Sequence, residues 1–470
     1  MIGGRGWTEM ADERAVLERV LVEAEGFLGG LGDRPVRSRA GVDAVASALG
    51  GPLPEQPTDD LAVIEELIAG ADPGLVATPS GRFFGWVIGG VRPAGLAADW
   101  LTGLWDQNAG LLASSPAAAG VERVAAGWLL DLLGLPSGAA VGFVTGGMMA
   151  NFTCLAAARH EVLRRAGWDV DAEGLPGAPP VSVVVGAEVH DTAELALRYL
   201  GLGSRRARVV PADDQGRIRL DGLAATLAEL PAGPTIVCLQ AGNVHSGAYD
   251  PLGPATELAR EHGAWVHVDG AFGLWSQASA ALRSLSAGVE RADSWATDAH
   301  KTLNVAYDCG LAIVAHPPAL YAAMGAHAPY LIQDERPDPL ATVPEFSRRA
   351  RGFGVWAVLR SLGRSGVAEM VEGFCARARQ FADGLAALDG ASVLNDVVFT
   401  QVVVSFGPDE VTREVAARLL ADGTAWMTPS TWQGRAVLRI SVSNWRTTPG
   451  DVERTLDAVR RVLAEVRAGH

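Results

Sequence analysis

Lys301 is the only lysine in a chain that carries 39 basic residues, so arginine fills every other cationic position. A coding bias toward arginine explains the rest but not the exception. Arginine matches lysine in charge and in many salt bridges, yet it does not deprotonate in a protein and cannot form an imine with a carbonyl. A lysine kept where arginine is the rule is a candidate for that chemistry, although a lone lysine by itself can be chance. Its neighbours take the argument further. The run Asp298-Ala299-His300-Lys301-Thr302 follows residues 294–297, which read as a buried strand, and His300 could donate to a phosphate.

Three other runs carry groups of matching chemistry. Val141-Gly142-Phe143-Val144-Thr145-Gly146-Gly147-Met148 leads into a helical pattern. Paired glycines let backbone N–H groups approach an anion, and the helix start adds the positive end of its dipole. Such pairs are also commonly plain turns. Trp265-Val266-His267-Val268-Asp269-Gly270-Ala271 reads as a buried strand ending in a carboxylate. An unpaired buried charge costs several kcal/mol, so Asp269 needs a partner. A pyridine nitrogen is one, and Asp269 would keep it protonated so that the ring accepts electrons from a substrate Cα; capping the next turn is the structural alternative. His190, between a strand and a helix, could stack on such a ring or simply cap the helix. A phosphate loop, a stacking His, a strand-end Asp and an imine-forming Lys, in this order, suit pyridoxal 5′-phosphate (PLP).

The elements that must position these residues read as an α/β domain. Residues 181–185, 235–239, 265–268, 294–297 and 311–315 are short apolar runs suited to doubly covered strands. Helical patterns at 148–165, 191–200, 220–230 and 254–262 separate them. In such sheets ligands sit at the carboxyl ends of strands, where the conspicuous residues fall. Residues 8–30 read as an amphipathic helix, followed by Pro- and Gly-rich punctuation to about residue 79. Helices at 367–388, 410–420 and 450–466, with strands at 400–406 and 437–442, make a smaller α+β domain. The expected division is an N-terminal arm (1–80), a large domain (81–355) and a small C-terminal domain (356–470).

With 470 residues, 49% of them hydrophobic, the chain can build a large core. Net charge is −15 and there is no basic run, which argues against nucleic acid and anionic membrane surfaces as partners. No apolar stretch approaches the roughly 18 residues of a membrane span. The first residues lack a signal-peptide core. Cys154, Cys238, Cys309 and Cys375 are far apart with no CxxC spacing, so neither a disulfide framework nor a metal site is expected. The expectation is a cytoplasmic protein.

Over nearly its whole length the chain resembles the group II PLP-dependent decarboxylases, which include the aromatic amino acid, histidine and glutamate decarboxylases. The most specific motifs are His190, His267-Val268-Asp269-Gly270-Ala271 and Asp298-Ala299-His300-Lys301. Also similar are Phe83-Phe84-Gly85, Ser115-Pro116-Ala117, Gly242-Asn243-Val244-His245-Ser246-Gly247-Ala248-Tyr249-Asp250 and Ser443-Asn444-Trp445-Arg446-Thr447-Thr448. The resemblance implies a fold-type I, PLP-dependent transferase-like architecture with a mainly parallel, seven-stranded sheet. It implies a homodimer with the N-terminal arm exchanged and the active site at the interface. Lys301 would carry the cofactor, Asp269 would meet the pyridine nitrogen, Ala271 would pack on the ring and His190 would stack on it. Thr145, Gly146, Gly147, Met148 and His300 would hold the phosphate, with Asn243, His245 and Asp298 also at the cofactor. Trp86, Asn108 and Tyr330 would meet an amino acid substrate, partly from the neighbouring subunit.

The chain departs from the family pattern in places. Met148 stands where many relatives carry a hydroxyl, and His245 where threonine or asparagine is usual. Asn108 and Gly110 replace bulkier pocket residues of the aromatic-specific members. Residues 332–343 contain no tyrosine, whereas a loop tyrosine is thought to protonate the carbanion in aromatic decarboxylases. The proton would then come from Tyr330, His190 or His245, with His190 preferred, and residues 334–346, rich in proline, would form a mobile lid. The implied function is decarboxylation of an L-amino acid. Rivals on the same site are an aldehyde synthase, a carbon–carbon lyase, a transaminase and a non-enzymatic PLP-binding protein.

Overall fold

Residues 13–325 and 337–469 are described by the computed structural model. Three helices open the chain, α1 (Glu13–Gly30), α2 (Val42–Leu49) and α3 (Asp60–Ala71). Helix α1 matches the amphipathic pattern, residues 8–12 lying outside the described ones. The glycines and prolines around α2 and α3 bound helices rather than marking one long loop. Gly41 and Gly50 flank α2, and Asp59 caps α3 by accepting from the Ala62 N–H. None of the three helices has a buried residue, and Leu17, Leu21, Val22, Val42, Val63 and Leu67 are exposed in the single chain.

Helices α4 (Pro93–Trp105) and α5 (Pro116–Leu132) lead into the large domain, each opening on a proline whose missing N–H costs nothing there. The domain then runs β1 (Ala140–Val144), α6 (Gly147–Arg165), the single turn α7 (Val170–Glu173), β2 (Ser182–Gly186), α8 (Asp191–Tyr199), β3 (Arg208–Val210), α9 (Leu220–Glu229), β4 (Thr235–Gln240), α10 (Leu252–Glu261), β5 (Trp265–Asp269), β6 (Ser294–Asp298), β7 (Gly310–Val314) and α11 (Pro317–Met324). Its seven strands are ordered β1-β7-β6-β5-β4-β2-β3. Neighbours from β6 to β3 are parallel, and β7 runs antiparallel to both β1 and β6. Six strands therefore end on one edge, the mainly parallel sheet that was expected. Edge strand β3 escapes a reading by apolar runs because Arg208 and Val209 are exposed.

Both faces of the sheet are covered, which is why its strands read as continuous apolar runs. Alternation survives underneath. On β5, Val266 and Val268 join the core on one face, while Trp265 packs in the core on the other, beside α6. His267 and Asp269 follow Trp265 at the two-residue period, so all three point toward α6.

The C-terminal part comprises α12 (Gly352–Ala386), β8 (Ser392–Val393), β9 (Gln401–Ser405), α13 (Asp409–Asp422), β10 (Thr428–Trp432), β11 (Arg435–Ser441) and α14 (Pro449–Ala468). Its four strands form a separate sheet, β10-β11-β9-β8. Helix α14 starts at a capping box: Thr448 Oγ1 accepts from the Asp451 N–H and Asp451 Oδ2 from the Thr448 N–H. Helix α12 crosses the expected boundary at 355. It bends at Gly363 (φ 61°), with Val355, Val358 and Val367 in the large-domain core and Phe374, Phe381 and Leu385 in that of the small domain.

One expectation needs correction. Residues 334–336 of the anticipated lid lie outside the described residues, but the remainder is seated rather than free. Pro339–Thr342 forms a 3₁₀ turn, the Leu340 N–H donates to Gly110 O at 3.0 Å, and Asp338 Oδ1 accepts from the Leu112 N–H at 2.7 Å. Leu340, Ala341 and Val343 are buried. The prolines fix φ for this turn and leave apolar residues free to pack. Among the described residues no helix is long and apolar enough to cross a membrane.

Candidate active site

A cavity of about 380 Å³ lies at the carboxyl ends of the strands. Its wall includes eleven of the expected residues: Trp86, Thr145, Gly146, Gly147, Met148, His190, Asp269, Ala271, Asp298, His300 and Lys301. Asn108, Asn243 and His245 do not line it, and Tyr330 lies outside the described residues.

Lys301 sits on the turn after β6, its side chain 21% exposed and its Nζ 2.8 Å from Asp298 Oδ2. The turn is held from both sides. Asn304 donates from Nδ2 to the carbonyls of Lys301, Thr302 and Ser443, and accepts at Oδ1 from Gly90 and Trp445 N–H groups. A Cβ at Gly89 would lie 2.1 Å from Lys301 O, so only glycine allows that approach. Asp298 Oδ1 is buried without a hydrogen-bond partner among the described residues, with His300 Nε2 3.5 Å away.

Asp269 ends β5. Its Oδ2 accepts from Asn151 Nδ2 at 2.9 Å and its Oδ1 from the Ala271 N–H at 3.1 Å, with no cation within ion-pair reach among the described residues. His190 caps α8, accepting at Nδ1 from the Thr192 N–H at 3.2 Å and lying 2.9 Å from Thr192 Oγ1. Its Nε2 has no protein partner among the described residues. His300 accepts at Nδ1 from the Cys309 N–H at 3.1 Å, which puts its hydrogen on Nε2. Burial lowers its pKa and keeps the ring neutral, and the Tyr307 ring stacks on it at 4.2 Å.

Gly146 and Gly147 start α6. A Cβ at Gly147 would lie 2.7 Å from Asp298 Oδ2, so this N-terminus stays open as a cradle of backbone N–H groups. At the opposite lip, Trp86 (φ 50°) and Val87 (φ 64°) hold left-handed backbone, a strained state for a β-branched valine. The Trp86 N–H donates to Thr428 Oγ1, and its ring, 52% exposed, faces Trp426 at 5.4 Å.

Asn243 turns away from the cavity. It donates to Glu188 Oε2 and accepts from the His245 and Ser246 N–H groups. His245 lies in the seam with the small domain, 2.9 Å from Ser430 Oγ and stacked on Trp432; burial first, then Arg439 and His190, lower its pKa to about 4. Asn108 braces the turn before α12, accepting from the Gly110 and Arg348 N–H groups. Thr192, which lines the cavity, and Asn151 and His267, which stand behind it, were missed as site residues. His267 and Asp269 on one face of a strand otherwise apolar on both faces were the available signal. Asn151 gave none without the tertiary contacts.

These parts fit PLP. A glycine cradle and the His300 Nε2–H suit a phosphate, Asp269 lacks a cation, Ala271 and His190 line a slot for a ring, and Lys301 reaches the same cavity. The comparisons agree. The family model described as "Pyridoxal-dependent decarboxylase conserved domain" matches residues 48–406. Tryptophan decarboxylase 1 of Oryza sativa subsp. japonica is 28% identical over 86% of this chain and 84% of its own length. Phenylacetaldehyde synthase of a Rosa hybrid cultivar is 28% identical over 87% and 85%. The crystal structure of Oryza sativa TDC with PLP and tryptamine superposes with a TM-score of 0.90 over 99% of both chains at 24% identity, a likeness of fold.

Proposed function

This chain belongs to the pyridoxal-dependent decarboxylase family, and from that premise we propose that it removes the α-carboxylate of an L-amino acid as CO₂ and leaves the amine. Its cofactor is PLP, which when bound supplies an electron sink for the pair freed when a bond to Cα breaks. Lys301 is the point of attachment, and Asp298 keeps its Nζ directed into the cavity. Asp269 holds a ring nitrogen in its cationic form. The cradle at Gly146 and Gly147 and the His300 Nε2–H hold the phosphate. His190, bonded at Nδ1, offers the Nε2 hydrogen for return to Cα. Trp86 and Val87 shield one lip from water. The observation that carries the reading is the sole lysine sharing one cavity with a buried carboxylate that lacks a cation. The exposed apolar residues of α1–α3, and Asn108 standing outside the single-chain cavity, support a homodimer that completes the pocket.

The absence of tyrosine from residues 332–343 supports a second outcome at the same site. With a slow proton return, oxygen can intercept: amino acid, O₂ and water give aldehyde, CO₂, ammonia and hydrogen peroxide. A screen of L-amino acids with the PLP-loaded protein, following CO₂, amine, aldehyde and peroxide, tests both. Amine equal to CO₂ is expected to dominate, with measurable aldehyde and peroxide in air that rise in His190→Asn. No CO₂ from any amino acid, with transfer of an amino group or carbon–carbon cleavage instead, would overturn the proposal.

A further inference from the structure

Behind the cavity wall, one buried amide joins Asp269 to His190. Asn151, on α6 and 1% exposed, uses every polar atom it has. Nδ2 donates to Asp269 Oδ2 at 2.9 Å and to Thr192 Oγ1 at 3.3 Å, and Oδ1 lies 2.9 Å from His267 Nε2. Further back, His267 Nδ1 lies 3.0 Å from Ser294 Oγ, which accepts the Trp265 indole N–H at 2.9 Å.

The direction of each bond is forced by the two ends. An indole only donates and a carboxylate only accepts. Asp269 takes an N–H of Asn151, so Asn151 Oδ1 must accept from His267 Nε2; His267 Nδ1 is then an acceptor, and the Ser294 hydroxyl, which accepts the Trp265 N–H, donates to it. Burial lowers the His267 pKa to about 4, so the ring is neutral and carries its hydrogen on Nε2. That hydrogen goes to Asn151 Oδ1 and fixes the amide with its NH₂ toward Asp269 and Thr192. Flipped, the amide would set its oxygen against the carboxylate and its NH₂ against a ring N–H, losing both bonds. Thr192 Oγ1, having accepted from Asn151, turns its own hydrogen to His190 Nδ1. The Thr192 backbone N–H also donates to His190 Nδ1, so the His190 hydrogen sits on Nε2.

We propose that Asn151 is a positioning residue that joins the two walls of the slot: one N–H holds Asp269 as the ionised partner of the cofactor's ring nitrogen, and the other holds the Thr192 hydroxyl against His190 Nδ1, whose hydrogen the Thr192 backbone N–H keeps on Nε2. This rests on the assignment of Asp269 made above. The amide does for both walls what two separate residues would do for one each, so its loss disturbs the ring charge and the hydroxyl that seats the imidazole together.

The test loads the protein with PLP labelled with ¹⁵N in the ring, whose shift separates a protonated from a neutral ring nitrogen. Asn151→Leu removes both donors at similar volume. The ring signal is expected to move toward the neutral value, and kcat/KM to fall about 10- to 100-fold, the span of a hydrogen bond to a charged group. Thr192→Val cuts only one branch: the ring signal stays protonated, and His190, still accepting at Nδ1 from the backbone N–H of residue 192, keeps the ¹⁵N pattern of Nε2–H, assigned with His190→Asn. Should Asn151→Leu fail to fold, His267 carries the test. His267→Leu is expected to shift the ring signal the same way, and His267→Gln, which can offer an N–H to Asn151, to restore it. A protonated ring signal retained in both Asn151→Leu and His267→Leu but lost in Asp269→Asn overturns the role of Asn151 alone. A signal retained in Asp269→Asn overturns the reading beneath it.

Discussion

At the ends of β5 and β6, Asp269 and Asp298 meet protein partners at 2.8–3.1 Å. Across the seam with the small domain, Arg439 on β11 is 6% exposed, and its Nε is buried without a hydrogen-bond partner among the described residues. Burial lowers its pKa to about 10, and its charge helps to lower that of His245. Around it the seam is otherwise well bonded: Trp432 donates to Glu188, and Asn395 to Ser246 O. A fold keeps a buried, unpaired charge at a cost of several kcal/mol. The slot is preorganised for a group that stays, whereas the seam holds a cation that no described residue pairs. Stability given up at such a position is commonly linked to function.

The largest effect expected tests the slot. Lys301→Ala should abolish turnover while the far-ultraviolet spectrum and melting temperature stay near wild type, because Lys301 contributes an ion pair rather than core packing. Borohydride reduction of the PLP-loaded wild type should fix the cofactor on a single lysine peptide, the chain having no other lysine. A colourless wild type that PLP does not reconstitute would dissolve the contrast, since the slot would then hold nothing.

How far this contrast could be read from residues alone follows from its physics. Lys301, Asp269 and the glycine cradle were legible because their chemistry is tied to strand ends and helix starts, and the order of elements fixes where those ends meet. The buried strands β2, β4, β5 and β6 were legible as apolar runs. Asn151 was not, because a polar residue inside a helical pattern carries no sign of the strand beneath it. The helices α2 and α3 were hidden among glycines and prolines, of which Gly41 and Gly50 are the ends of α2.

Arg439→Met separates charge from shape. If the guanidinium waits for a substrate anion, KM should rise about 10- to 100-fold with kcat less affected, as a charged hydrogen-bond donor is lost. The same change removes an unpaired buried charge, so urea unfolding should show a gain of about 1 kcal/mol. A higher KM with higher stability sharpens the contrast between slot and seam. Unchanged KM, or a loss of stability, would mean that Arg439 is a structural cation paired in the assembled protein, and the seam would then resemble the slot.

The smallest effect expected comes from the support behind the slot. Burial lowers the His267 pKa to about 4 in the folded chain, against about 6.5 when unfolded. Between those values the unfolded chain binds a proton that the folded chain refuses. The stability linked to this group is therefore fully present above about pH 6.5 and declines as pH falls toward 4. The slope is about 1 kcal/mol per pH unit, with Asp269 nearby opposing it through its charge. His245 acts in the same sense, and Asp250, raised to about 6 by burial, in the opposite one. Both cancel when wild type is compared with His267→Gln, which cannot titrate. The stability difference between the two proteins, measured by urea unfolding, should shift by about 1 kcal/mol in favour of the variant between pH 6 and pH 5. Parallel pH profiles would mean that His267 keeps its proton in the folded state, and the hydrogen-bond direction assigned from Trp265 to Asp269 would lose its footing at its central link.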